Sequence, residues 1–469
     1  MPADTALDLT ERRRIHIVGV AGSGMSAIAL VLARMGHAVS GSDMKRTAVF
    51  ERLAAAGVTL HTGNDALFVP DNADAVVYST AVPPDNVELQ AAAARGIPVL
   101  HRSAALAALA ATRRTIAVAG SHGKTTTASM LALILRRARW RPSFVIGGEV
   151  NEIGTNAAFG DGEWLVLEAD ESDGTFLQLR PDVALVTSVE PDHLGHYHGR
   201  FSELVAAFEH FVDGARGTVI CSADDRIAAT IAAARPHIRT YGTDAGAHYR
   251  IVEETMNADG CRFALVIDGQ RRVDLVVPVG VKASANAAGA AAVALELGID
   301  EQAIAGALAG FGGVARRFQY RGTRDGIAFV DDYAHLPTEV AAAIDTARHG
   351  PWRRVVVVFQ PHRYTRTASI GTQFADAFTA ADTLVLTDVF PAGEQPIAGV
   401  TGRIVLHAVL DAHPALPVAY LPGRNDLAGV PWRYAGAGDV VLTLGAGDLT
   451  TMPDVWLAEE DTATQECRT

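Results

Sequence analysis

The feature that most constrains this 469-residue chain is a recurring short run of apolar residues that stops at a glycine or a polar loop: IHIVGV at 15–20, TIAVAG at 115–120, VALVTSV at 183–189, VVVVFQP at 355–361 and VVLTLGAG at 440–447. A strand apolar on both faces is buried on both, which implies a parallel sheet covered by helices on each side. Segments with helical spacing lie between such runs, among them Gly24–Met35 and FSELVAAFEHFV at 201–212. The alternation comes as three units in series: from Ile15 to about Thr112, from Arg113 onward, and from about Arg316. One stretch breaks it. After Tyr249, RIVEETM, CRFALVID and RRVDLVVPV are separated by NADG and Asp268-Gly269, which are hairpin turns and predict an antiparallel piece. An alanine-rich helix is expected over 283–297.

Composition narrows the function. Apolar residues make up 49% and charged residues 20%, enough for large cores. A net charge of −13 argues against nucleic acid, which selects a basic face. Cys221, Cys261 and Cys467 are too scattered for a disulfide framework or a zinc site. No apolar run is long enough to cross a membrane. The start, MPADTALDLTERRR, lacks the apolar stretch of a signal peptide, so a cytoplasmic enzyme is expected.

Four groups of residues carry chemistry. GVAGSGMS holds Gly19, Gly22 and Gly24 but has Ala21 where a dinucleotide fingerprint needs glycine. With Asp43 at the tip of the next strand, it reads as a nucleotide or phosphate turn, or as a tight structural turn. AVAGSHGKTTTASM at 117–130 is a phosphate loop of a short kind. Strand, Gly120-Ser121-His122-Gly123 and helix start aim backbone N–H groups and Lys124 at one anion. The Thr125 hydroxyl is placed for magnesium, and Thr126 and Thr127 add donors. Two acidic clusters end strands: Glu168, Asp170, Glu171 and Asp173 in LEADESDG, and Glu190, Asp192 and His193 in VEPDH. Their hard oxygens suit magnesium, or they are solvated loop carboxylates. Finally, ARRFQYRG, DDYAHLPTE and FQPHRYTRT gather arginines and histidines able to clamp carboxylates or phosphates.

In this order the pieces GSHGKTTT, EADESDG, VEPDH, GVARRFQ, DDYAHLPTE, FQPHRYTRT and LGAGD resemble the Mur ligases, ATP-dependent ligases of peptidoglycan synthesis, and most of all their alanine-adding branch. The resemblance runs from Ile15 to about Leu449. It implies three domains in series: a Rossmann-like UDP-sugar domain (1–112), a central ATP-binding α/β domain with an added antiparallel β segment (113–314), and a Rossmann-like C-terminal domain (315–469). It implies UDP-sugar contacts at Gly22, Ser23, Gly24, Met25, Ser26, Asp43, Ser79 and Thr80. ATP would be held by Gly120, Ser121, His122, Gly123, Lys124, Thr125 and Thr126, with Asn286 at the adenine and Arg317 and Asp332 at ribose and phosphates. Thr125, Glu168 and His193 would hold magnesium, or manganese in its place, with Lys124, His193 and Glu168 catalytic. Tyr333, His335, His362 and Arg366 would receive L-alanine. The partners implied are UDP-N-acetylmuramate and L-alanine, the assembly a monomer or homodimer, and the ligands' division among three domains implies closure. The family pattern is departed from at Ala21, Gly195, Leu336 and Lys282-Ala283. Outside ligases, a nicotinamide-dependent dehydrogenase explains GVAGSGM and Asp43 alone, and a nucleotide sensor leaves the arginine-rich third unit without purpose.

Overall fold

Burial of successive residues on opposite faces of each apolar run builds the sheets. In the strand Val355–Phe359, residues 355, 357 and 359 join one core and 356 and 358 another, so the strand is buried on both faces as a parallel sheet requires. The computed structural model describes residues 7–192, 194–257 and 260–458. His193, part of the NADG turn, Cys467 and the polar tail after Ala458 lie outside them. The chain divides into two compact units. One takes in the chain to Glu254, with Arg262–Val277 and Ser284–Gly312; the other takes in Thr255–Cys261, Pro278–Ala283 and the chain from Gly313.

The first unit opens with a five-stranded parallel sheet, ordered Thr59–Thr62, Ala38–Asp43, Arg14–Val18, Ala75–Tyr78, Val99–His101. Strand order reverses beside Arg14–Val18, and such switch points leave a ligand crevice at the strands' carboxyl ends. The helix Ser23–Arg34 follows that first strand and buries Met25, Ile28 and Leu32. It packs on the strands Ser143–Val150 and Thr155–Ala158 of the next sheet, and one apolar core runs through both layers.

That second sheet has ten strands. Its parallel centre is Thr218–Ser222, Val183–Val186, Arg114–Ala119, Trp164–Glu168 and Ser143–Val150. Thr155–Ala158 closes one edge antiparallel to its neighbour. The expected antiparallel piece continues the sheet at the other side. Tyr249–Asn257 pairs parallel with Arg239–Gly242, and Gly260–Ile267 and Arg271–Val277 follow beside it, the last two joined by only three residues. The alanine-rich helix spans Ala283–Glu296.

The second unit holds a six-stranded sheet, ordered Gln319–Arg324, Ile327–Asp332, Val440–Leu444, Val355–Phe359, Thr383–Leu386, Val418–Tyr420. All pair parallel except Gln319–Arg324, which is an antiparallel edge.

Candidate active site

The phosphate loop leaves the strand Arg114–Ala119 and enters the helix Lys124–Arg137 through two glycines in left-handed backbone, Gly120 (φ +141°) and Gly123 (φ +80°). A side chain at Gly120 would collide with Thr187 and Ser188, and one at Gly123 with the Asn286 amide oxygen. Thr187 and Ser188 directly follow the neighbouring strand, Val183–Val186, and hold the loop. Ser121 N donates to Ser188 O (2.9 Å), His122 N to Ser188 Oγ (3.0 Å), and Glu190 N to Ser121 Oγ (2.8 Å). Thr187 Oγ1 donates to His122 O. Neither residue was foreseen. Their signal is a pair of hydroxyls directly after an apolar run that the parallel register sets beside the phosphate strand.

Lys124 folds back over the loop mouth. Its ammonium donates to Gly120 O and to Glu171 Oε1 (3.0 Å), with Glu171 Oε2 at 2.8 Å. Burial works against that charge, but Glu171, Asp170 and Glu168 outweigh it and hold the ammonium's pKa above its ordinary value. Thr125 Oγ1 donates to Glu168 Oε1 (3.0 Å), while Gly147 N donates to Glu168 Oε2 (2.6 Å). Thr125 and Glu168 thus meet as two hard oxygen donors beside the loop, a set that fits magnesium. The other carboxylates of LEADESDG, expected beside Glu168 as hard oxygens for an ion, face cations of the chain itself. Glu171 faces Lys124. Asp170 Oδ2 accepts from Arg102 Nη2 (2.6 Å) and Asp173 Oδ2 from Arg102 Nε (2.9 Å). Arg102 and Lys124 together pull Asp170 far below the carboxylate range against its burial. Glu190 likewise faces His122, Nε2 to Oε2 3.2 Å. Asn286 is buried under the loop, accepting from Thr127 Oγ1 (3.2 Å). Ser121, His122 and Thr126 line the loop at intermediate burial.

At the first glycine turn, Gly22 caps the helix Ser23–Arg34 with no side-chain hydrogen bond and no acid in the first turn. The end of that helix keeps backbone donors for an anion. Gly19 N and Val20 N donate to Ser42 O (both 2.9 Å) and Ala21 N to Asp43 Oδ2 (3.0 Å). Asp43 therefore braces the turn, and Lys45 N uses its other oxygen at 3.2 Å. Met25 and Ser26 are buried, the Ser26 hydroxyl donating to Ser23 O (3.0 Å), so their side chains face the protein. Gly24 lies against Arg102: a Cβ there would sit 3.3 Å from Nη1. Ser79 and Thr80 follow the strand Ala75–Tyr78 at the same carboxyl edge.

The second unit gathers its own set. Asp332, buried, accepts from Phe318 N (2.6 Å) and Ala334 N (2.7 Å), and burial raises its carboxyl to about 6. Arg316 and Arg317 both lie over the Tyr333 ring, at 4.8 and 5.1 Å. Tyr333, His335 and His362 run edge to face, with centroids 5.4 and 5.9 Å apart. Arg366 Nη1 donates to His362 Nδ1 (3.0 Å). Burial first, then the charges of His335, Arg366 and Arg363, lower the His362 pKa to about 3, so the ring is a neutral acceptor at pH 7. The four residues expected to take the amino acid are thus one connected group. Leu336 is buried at the start of the helix Pro337–Arg348.

Residues 14–114 match the Mur ligase family catalytic domain, 118–294 the Mur ligase middle domain and 316–447 the Mur ligase glutamate ligase domain. The UDP-N-acetylmuramate–L-alanine ligase of Pelotomaculum thermopropionicum is 41% identical over 458 residues, covering 94% of this chain and 96% of that one. The ligase of the same name from Renibacterium salmoninarum is 43% identical over 453 residues, covering 95% of each. Among solved structures, the UDP-N-acetylmuramate–alanine ligase of Thermotoga maritima superposes with a TM-score of 0.81 at 27% identity, over 95% of this chain and 98% of that one. A murein peptide ligase from Psychrobacter arcticus shares the fold, at a TM-score of 0.68 and 24% identity over 95% of this chain and 98% of that one. With matched domains covering most of the chain, the chain belongs to the Mur ligase family.

Proposed function

We propose that this chain joins L-alanine to the lactyl carboxylate of UDP-N-acetylmuramate at the expense of ATP, as a step in peptidoglycan synthesis. The observation that carries the reading is that two separately built residue groups accompany the relatives' name: a lysine-bearing phosphate loop, and an arginine–imidazole group suited to an amino-acid carboxylate. The carboxylate oxygen attacks the γ-phosphorus, ADP leaves and an acyl phosphate forms. The deprotonated amine then attacks the acyl carbon, phosphate leaves and an amide remains.

Lys124 and the loop amides hold the phosphoryl oxygens as charge moves over them, so positioning and electrostatics supply most of the rate. Thr125 and Glu168, with His193 completing the set, would hold magnesium, which supplies further neutralisation of phosphate charge when bound. The first glycine turn and the amides at the start of the helix Ser23–Arg34 would take the UDP diphosphate, with Ser79 and Thr80 beside it. Asn286, Arg317 and Asp332 are assigned to the nucleotide. Arg366 would pair with the carboxylate of L-alanine, oriented by His362. We place the domain boundaries at 112 and 314 and the enzyme in the cytoplasm, as a monomer or homodimer; no helix among the described residues is long and apolar enough to cross a membrane.

The test is phosphate release by purified protein with ATP, magnesium and UDP-N-acetylmuramate, across L-alanine, glycine, L-serine and a short peptide. Release with L-alanine and a product of matching mass supports the reading. Release only with another acceptor would make the chain a diverged Mur-type ligase, the reading that Leu336 and Lys282 favour. Silence throughout, in protein that binds ATP, would sink the alanine-adding reading and leave a diverged Mur-type ligase acting on another carboxylate, to be tested with other carboxylate substrates.

A further inference from the structure

The segment after the strand Thr383–Leu386 lies outside every residue group assigned so far, yet it grips the one that carries Arg366. Phe390 N donates to Pro361 O, and Arg363 N donates back to Phe390 O, both at 2.8 Å. This pair brackets His362 and holds Arg363 at φ +69°, a left-handed conformation costly for a side-chain-bearing residue. Beyond Arg363 begins the helix Tyr364–Ile370, which bears Arg366. Glu394 seizes its first turn: Thr365 N donates to Oε2 (3.0 Å) and Thr365 Oγ1 to Oε1 (2.6 Å). The Phe390 ring lies nearly parallel to the His362 imidazole, 11° between planes and centroids 5.9 Å apart. It rests on Gly447, where a Cβ would come within 2.6 Å of Phe390 Cγ and force the ring away.

Contacts on both the backbone and the side chain of Arg366 therefore trace to this one segment: the start of its helix is held by Phe390 and Glu394, and its guanidinium meets His362, whose ring Phe390 stacks against. We propose that Phe390 and Glu394 are positioning residues for the amino-acid acceptor, aiming Arg366 through His362 and the Pro361–Arg363 turn. The inference rests on the reading that Arg366 receives the amino-acid carboxylate. Neither residue need touch substrate.

The experiment compares Phe390→Ala, Phe390→Tyr and Glu394→Gln in the full chain, with KM for each of the three substrates and kcat. Phe390→Ala is expected to raise KM for L-alanine about tenfold, as a misplaced carboxylate clamp does, with kcat and the KM values for ATP and UDP-N-acetylmuramate within about twofold. Glu394→Gln is expected to do the same more weakly. Phe390→Tyr keeps the stacked ring and is expected to restore the wild-type KM. Equal loss in all three KM values, or no change in any, would overturn the proposal.

A second readout keeps the test independent of activity. The 15N resonances of the His362 ring are expected to show an unprotonated Nδ1 from pH 5 to 8 in the wild type, and a ring that titrates in that range in Phe390→Ala. An unchanged His362 signal overturns the clamp. Absence of phosphate release from the wild type with every amino acid would overturn the amino-acid-adding reading instead, and the resonances would still decide the clamp.

Discussion

At the scale of single residues, the charge on Lys124 and the neutrality of His362 define what each group can do. Lys124→Ala removes the only ammonium seen at the loop mouth among the described residues, and is expected to lower phosphate release by about 10²–10³-fold or more. Titration calorimetry is expected to find UDP-sugar binding nearly intact, since that ligand is assigned to the other glycine turn; loss of both together would undo the assignment. His362 behaves oppositely to a surface histidine. With its folded pKa near 3 against an ordinary 6.5, the unfolded chain takes up a proton between those values that the folded chain refuses. Its contribution is therefore full above pH 6.5 and is lost as pH falls toward 3. His362→Asn is expected to flatten that acid-side slope in denaturant melts recorded from pH 7 to 4, and an unaltered slope would place the ring in water. The sequence made Lys124 and the Arg366 cluster legible because their residue types recur at strand ends. It hid Arg102 and the use of Glu171, because nothing local tells a carboxylate whether its neighbour will be an ion or a guanidinium.

At the scale of elements, the phosphate loop depends on two glycines whose missing side chains make room for Thr187 and Asn286. Gly123→Ala combines a left-handed φ with a collision against the Asn286 amide, so it is expected to cost about 1–3 kcal/mol locally and to weaken ATP binding in a fluorescence titration. Wild-type affinity would mean that the loop rearranges freely. The runs that announced themselves, such as Val355–Phe359 and Val440–Leu444, are buried on both faces and so are continuously apolar. Those that did not are of two kinds. Gln319–Arg324 is an edge strand with no fully buried residue, and its arginines guard an open edge, which reads as a polar loop. Ser143–Val150 carries Gly147 and Gly148 because the Glu168 carboxylate occupies the space a side chain at Gly147 would need. A glycine pair reads locally as a turn, and only the fold reveals what it accommodates. The hairpins after Tyr249 were legible as antiparallel, but their joining the central sheet was not, since pairing across Tyr241 and Tyr249 is a matter of register between segments.

At the scale of the molecule, the first unit joins its two sheets by apolar packing and by few polar ties. Asn156 Nδ2 donates to Ser23 O (3.1 Å), Arg52 meets Glu149 at 2.8 Å on the surface, and Arg102 spans Asp170 and Asp173. The exposed pair contributes little. The Arg102 fork, mostly buried, is different: Arg102→Met takes away the guanidinium that Asp170 and Asp173 share, leaving Asp170 only the charge of Lys124. That is expected to cost about 2–3 kcal/mol, short of the ~3–5 of a fully buried pair, and to split urea unfolding into two transitions as the N-terminal sheet loosens first. A single unchanged transition would show that the apolar contact alone joins the layers.

The Lys124–Glu171 pair also bears on which anions the loop is expected to admit. An ammonium already partnered by a carboxylate does not attract every passing anion, because the newcomer must displace a neighbour that is covalently part of the chain and always present. A lone orthophosphate exchanges one such contact for another with little gain. A triphosphate engages the loop amides, Lys124 and the Thr125–Glu168 corner at once, and so can shift Glu171 aside. The loop thereby works as a filter on polyvalence, and the orthophosphate liberated by each turnover is expected to leave without lingering as an inhibitor.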